Sequence, residues 1–183
     1  MKLFKKLAAA ALAAVLALSM VGCGGVTPGG GATMNDTQAT ELATLVNTDR
    51  KAAGKKELDR SAEVEAILAD YAKAMVDYMV DQNETTNAAG EAAVQEVMRK
   101  LSQLEIDGKK VDMNQSEMMP CGFAKGITVT PEKIKNTAKN IKRENATVDI
   151  WTPMVNADGS YLAVVWAEKS GATAVITYNI VLK

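Results

Sequence analysis

Histidine is absent from this 183-residue chain. Its absence removes the commonest general base near neutral pH and the commonest metal ligand. Ser-His-Asp and Cys-His triads are excluded, and so are zinc motifs that place two histidines on one helix face. Cysteine occurs twice, at Cys23 and Cys121, too few for a disulfide framework once Cys23 is assigned elsewhere. Aromatic residues make up 4% of the chain, little material for a carbohydrate platform or a base-stacking surface. No strong basic excess exists either, with 21 Lys and Arg against 22 Asp and Glu, so nucleic acid is not an expected partner. No Ser-x-x-Lys string is present, which removes one histidine-free route to an activated serine.

The N-terminus is where the sequence speaks most directly. Lys2, Lys5 and Lys6 form a short basic region, followed by an apolar run from Leu7 to Val21. Fifteen residues are short for a bilayer span and suit the hydrophobic region of a signal peptide. The run ends at Gly22-Cys23 and resembles a bacterial lipobox, although Met20 and Val21 stand where Leu and Ala or Ser are usual. Residues 1–22 are therefore expected to be a lipoprotein signal peptide, with Cys23 as the lipidated residue. Acyl chains stabilise membrane attachment by about 0.8 kcal/mol per buried methylene, and two or more chains make it durable. Residues 23–37 contain "GGVTPGGGATMNDT" and are expected to be the lipidated Cys and a flexible tether. Loss of the three signal lysines takes the formal charge from −1 to −4.

Residues 38–183 carry the patterns of one folded domain. Leu42, Leu45, Val46 and Ala53 recur at helical spacing over 38–53, and Gly54 is a natural stop. Val64, Ile67, Leu68, Tyr71, Met75, Tyr78 and Met79 form a second stripe over 61–82. "NETTNAAG" reads as a polar break before a third helix at about 91–104. Residues 112–129 read as irregular. Thr130-Pro131-Glu132 is a helix start, with an expected end near Arg143. The last forty residues are β-rich, with "NADG" and "EKSG" as turns and with Trp151 and Trp166 expected in core strands. About four helices followed by a small antiparallel sheet make the expected class α+β.

The ordered set Asn47, Arg50, Gly54 and Leu58, the alanine-rich stretch around Ala66, Ala69, Ala72 and Ala74, and the later "TPEKIKNTAKNIKREN" resemble the CAP superfamily. That superfamily comprises cysteine-rich secretory proteins, antigen 5 and pathogenesis-related proteins, or SCP-like extracellular domains. The resemblance runs from about Glu41 to Val181 and implies an α-β-α sandwich over 38–183. Many relatives hold two histidines and two acidic residues in a central cleft. Here "PCGFAKG" stands near the place of a Gly-Glu-Asn string, with Cys121 at or near the glutamate, and "KREN" puts Lys142 near a histidine position. The resemblance thus points to a cleft near Cys121, Phe123 and Lys142 that has lost its histidine and metal site.

Other constellations read as structural. Asp77, Asp81 and Glu84 offer carboxylates to a hard cation, but without EF-hand spacing a solvated helix end is expected. Glu41, Glu63 and Glu65 are expected on exposed helix faces, and the methionines in the core. Cys121, with no histidine to activate it, is expected to be buried packing. The resulting expectation is an extracytoplasmic lipoprotein, lipid-anchored to the cell membrane at the bacterial surface. Its non-catalytic, monomeric domain would bind a hydrophobic small molecule, an envelope component or a protein, with no cofactor and no metal. The alternative is a histidine-independent hydrolase of the envelope or of peptides. Cys23→Ala should abolish incorporation of labelled palmitate and leave an unprocessed or soluble product. A mutant that is still processed and still acylated would refute the lipobox assignment.

Overall fold

A computed structural model describes residues 31–183 apart from Gln82, Glu144 and Asn145. Five helices and nine short or long strands alternate along it. The helices are α1 (Asp36–Ala52), α2 (Ala62–Asp81), α3 (Glu84–Gln103), α4 (Pro131–Lys139) and α5 (Trp151–Asn156). The strands are β1 (Thr33–Met34), β2 (Asp59–Arg60), β3 (Glu105–Ile106), β4 (Lys109–Lys110), β5 (Glu117–Phe123), β6 (Ile141–Arg143), β7 (Ala146–Val148), β8 (Tyr161–Lys169) and β9 (Ala172–Ile180).

The main sheet has the order β1-β8-β9-β5, with the two-residue β2 added in parallel to the start of β8. Its centre is the β8–β9 hairpin, in register from Lys169↔Ala172 to Tyr161↔Ile180. Ser170 (φ 51°) and Gly171 (φ 81°) close it. Two left-handed residues give a turn whose twist matches that of the strands it joins. All nine residues of β9 are buried, so both faces of the sheet are covered. Strand residues alternate sides, and the alternation divides the core. Ala163, Val165, Ala167, Ala174, Ile176, Tyr178 and Ile180 pack against α2 and α3. Leu162, Val164, Trp166 and Val175 pack against α1, α4 and α5. The class is α+β, and the layers are those of an α-β-α sandwich.

Local chemistry explains where the helices begin. The Asn35 side chain caps α1 by accepting from Gln38 N at 3.1 Å. Thr130 caps α4 through Lys133 N at 3.2 Å, with Pro131 in the first turn. Asn83 and Thr86 form a reciprocal capping box at α3. That box corrects the expected start near Glu91: "NETTNAAG" is the first two turns of α3, because polar side chains there cap rather than break the helix. The ordered fold also begins before residue 38. Thr33 and Met34 pair with Glu168 and Ala167 of β8.

Three further expectations are corrected. Residues 112–129 contain β5, a seven-residue edge strand paired with β9 from Glu117↔Asn179 to Phe123↔Thr173. Pro120 fits there because an edge position needs no N–H for a second neighbour. Gly122 fits because Met79 Sδ lies 2.7 Å from where a Cβ would be. Helix α4 stops at Lys139 rather than near Arg143, and Ile141–Arg143 pairs with Ala146–Val148 as the antiparallel β6–β7 ribbon. Trp151 opens α5 instead of lying in a strand, a short helix beside the four expected ones. The cause is Asp149, whose carboxylate accepts from Thr152 N at 2.9 Å and Thr152 Oγ1 at 2.7 Å and so starts a helical turn.

Gly159 follows α5 where the chain passes closest to the sheet. A Cβ there would lie 2.0 Å from Asn179 Oδ1 and 2.8 Å from Leu58 Cδ1. Asn179 cannot swing away, since its amide donates to Met154 O at 3.0 Å and to Ala157 O at 3.2 Å. Gly159→Ala should therefore destabilise the fold by about 1–3 kcal/mol, seen as a lower urea midpoint at unchanged slope. An unchanged midpoint would show that this close approach is not a constraint.

Candidate functional site

Asn47, Arg50, Gly54 and Leu58 lie in the last turns of α1 and the segment that follows it. Asn47 on α1 holds the backbone of Leu58 twice: Leu58 N donates to Asn47 Oδ1, and Asn47 Nδ2 donates to Leu58 O, both at 2.9 Å. One side chain thereby acts as a strand partner for the segment leading into β2. Gly54 takes φ 72° just past the end of α1, a conformation that costs glycine little. Leu58 is buried beneath it.

Arg50, one turn of α1 after Asn47, is 2% exposed. Its Nε donates to Lys56 O, and its Nη1 to Val155 O and Ala157 O, all at 2.9 Å. The last carbonyls of a helix have no partner within it, and Arg50 supplies one for α5. Burial lowers the Arg50 pKa from its ordinary value and the Asp158 charge raises it again; a guanidinium remains protonated throughout. Asp49, beside Arg50, accepts from Trp151 Nε1 at 2.8 Å and from Lys135 Nζ at 2.9 Å. The string Asn47–Arg50 therefore ties α1 to α4, α5 and β2.

Cys121 and Phe123 lie together on one face of β5, 3% and 2% exposed, in the core layer beneath α1, α4 and α5. Burial pushes the Cys121 thiol up to about 12, so it is protonated at neutral pH and a poor nucleophile. Lys142 stands apart, exposed on β6, with its Nζ donating to Thr147 Oγ1 at 3.0 Å. The three residues expected to share a cleft are thus a buried pair and a separate surface lysine. Cys23 lies outside the described residues.

The carboxylates have structural partners. Glu65 is not on an exposed helix face: Oε1 accepts from Val164 N at 3.1 Å, closing a donor on the edge of β8, and Arg60 binds both its oxygens. That role was invisible in the sequence, because it depends on β8, 99 residues away. Asp77 and Asp81 share Lys169, whose Nζ lies 2.7 Å and 3.5 Å from them, so a lysine stands where a cation was considered. Asp107 accepts a hydrogen bond from Tyr161 Oη. Among the described residues, no three His, Cys, Asp or Glu side chains form a group suited to a metal ion. No described helix is long and apolar enough to cross a membrane. Comparison with known proteins finds no matching family model, curated protein or solved structure.

Asp49 is a half-buried carboxylate whose pKa couples stability to acid. Burial alone pushes its pKa up, but hydrogen bonds from Lys135 and Trp151 and the charges of Lys135 and Lys139 together hold it below the ordinary 3.8. A depressed carboxyl contributes stability that is fully present above the unfolded value and lost as pH falls through the folded one. Asp49→Asn should lower the urea midpoint near neutral pH, and its deficit against the parent should shrink below about pH 3.8. A deficit that does not change with pH would show that the Asp49 charge does not contribute.

Proposed function

We propose that the chain is a lipid-anchored, extracytoplasmic lipoprotein whose domain is a histidine-free member of the CAP superfamily that binds rather than catalyses. Its ligand on this reading is a hydrophobic small molecule, an envelope component or a protein. The anchor rests on the Leu7–Val21 run and the Gly22-Cys23 junction. The family assignment is supported by how Asn47, Arg50, Gly54 and Leu58 are held within an α-β-α sandwich.

The single observation that favours binding over catalysis is the engagement of the reactive side chains. Cys121 is buried with its thiol pKa at about 12. Asp49, Glu65, Asp77 and Asp81 are held by Lys135, Arg60 and Lys169. A general acid or nucleophile needs a pKa matched to its task and access to substrate. These groups instead cross-link layers of the fold.

The reading is tested with the Cys23→Ala full chain, purified from its native host without detergent. Organic extraction followed by mass spectrometry should recover one hydrophobic molecule at near-stoichiometric amount, or pull-down from envelope fractions should recover one partner. Hydrolysis of envelope polymers or peptides by the same preparation, lost in Asp49→Asn or Glu65→Gln with the fold intact, would replace binding with catalysis.

A further inference from the structure

Charge is unevenly divided between two segments of the chain. Residues 61–117, which supply α2, α3 and the β3–β4 hairpin, hold twelve Asp or Glu against five Lys or Arg. Residues 124–143, which supply α4, on the other side of the sheet, and the β6 that follows it, hold six Lys or Arg against Glu132 alone. Ion pairing does not cancel this second excess. Of its lysines, Lys135 is the one paired with a described carboxylate, Asp49. Lys125, Lys133 and Lys142 are exposed. Lys139 is half-buried, close enough to Asp49 and Asp149 to lower both their pKa values.

Topology sets one end of this basic segment beside the point where the chain enters the domain. Phe123 ends β5 opposite Thr173, at the turn end of the β8–β9 hairpin. Lys125 Cγ lies 3.4 Å from where a Cβ on Gly171 would be, within that turn. Thr33 pairs with Glu168 at the same end. Two large apolar residues are exposed among the described residues, Met34 at 40% and Ile127 at 37%. Met34 lies in the entering strand and Ile127 two residues beyond Lys125. Ten peptide links separate Cys23 from Thr33, which span at most roughly 35 Å.

We propose that the α4–β6 face, led by Lys125 and Ile127, lies on the anionic lipid surface to which the domain is tethered. The proposal rests on Cys23 being the anchor. Clustered lysines near an anionic leaflet each add about 1 kcal/mol of attraction, confined to roughly a Debye length of 8 Å. The tether confines the domain to within roughly 35 Å of the bilayer, so the face repeatedly comes within that range, while the acidic α2–α3 layer is repelled. The domain would then hold one orientation on the membrane, with α2 and α3 outward.

The test has two arms. In the first, the lipidated full chain is reconstituted in vesicles of phosphatidylcholine, with or without phosphatidylglycerol, and lysine acetylation rates are read by mass spectrometry. Lys125, Lys133, Lys139 and Lys142 should be slowed several-fold by phosphatidylglycerol, Lys73, Lys100 and Lys109 should not, and high salt should erase the difference. Equal rates in both vesicle types, or protection of the second set, would overturn the proposal. The second arm does not need the anchor. The Cys23→Ser chain is compared with the same chain carrying Lys133→Glu, Lys139→Glu and Lys142→Glu. Both share residues 1–22, so any difference belongs to the face. With thermal melts showing both folded, the triple variant should partition to phosphatidylglycerol vesicles at least tenfold more weakly. Equal partitioning would overturn the proposal. So would protection of the same lysines by a soluble acidic polymer but not by vesicles. Failure of the lipidated chain to float with neutral vesicles would count against the anchor alone.

Discussion

The guanidinium of Arg50 is buried with backbone carbonyls, and no described carboxylate, as its hydrogen-bond partners, and the arrangement of one layer depends on how it is satisfied. Taking a charge out of water costs several kcal/mol unless hydrogen bonds replace the lost solvent. Three backbone carbonyls do so here, from Lys56, Val155 and Ala157. They lie at the end of α5 and in the turn after α1, and Ala157 O also accepts from Asn179 Nδ2. Asn179 on β9 meets the same chain end through Met154 O and Ala157 O, with its oxygen against Gly159. A helix, a loop, a second helix and the central strand are thus bound to one point. Truncating Arg50 would leave the buried Val155 O without this donor, at a cost of about 1–3 kcal/mol. The six-residue α5 is too short to be stable by itself. It persists because this contact and the Asp49–Trp151 hydrogen bond hold both its ends.

The two ends of the sheet therefore differ in character. At one, around Tyr161 and Ile180, polar side chains are fastened to backbone groups and the chain turns tightly. At the other, around Lys169 and Ala172, the chain enters at Thr33, the β8–β9 turn is exposed, and the Ala124–Thr130 loop leads into the lysine-bearing α4. The second end lies nearest the chain that precedes the domain.

Long-range carboxylate contacts show why chemistry is hard to assign from side-chain type alone. Glu65 closes a strand edge, Asp49 joins three helices, and Lys169 sits between Asp77 and Asp81. An acidic residue in each of these places looks the same in sequence as a catalytic one. What separates them is whether a cation or an N–H from a distant segment already occupies the oxygens.

Periodicity alone was enough to place α1 and α2, because their apolar stripes are long and regular. Cap chemistry placed α4, because Thr130-Pro131-Glu132 has few other uses. The hairpin at Ser170-Gly171 was legible from turn residues between two runs of β-branched side chains. The absence of histidine limited the chemistry before any fold was considered. Four outcomes depended on tertiary contact. Asn83 and Thr86 turn a polar string into the start of α3, whereas the same composition also suits a loop. The segment "EMMPCGF", poor in β-branched residues and interrupted by proline and glycine, becomes a strand only because β9 offers it an edge. Cys121, Phe123 and Lys142 could not be sorted by spacing, since two share a face of β5 and the third leaves on a separate ribbon. Arg50 read as a family mark, but its role required α5, more than a hundred residues away. Local pattern determines which backbone conformation each segment favours; which polar atoms are satisfied is decided only when distant segments meet.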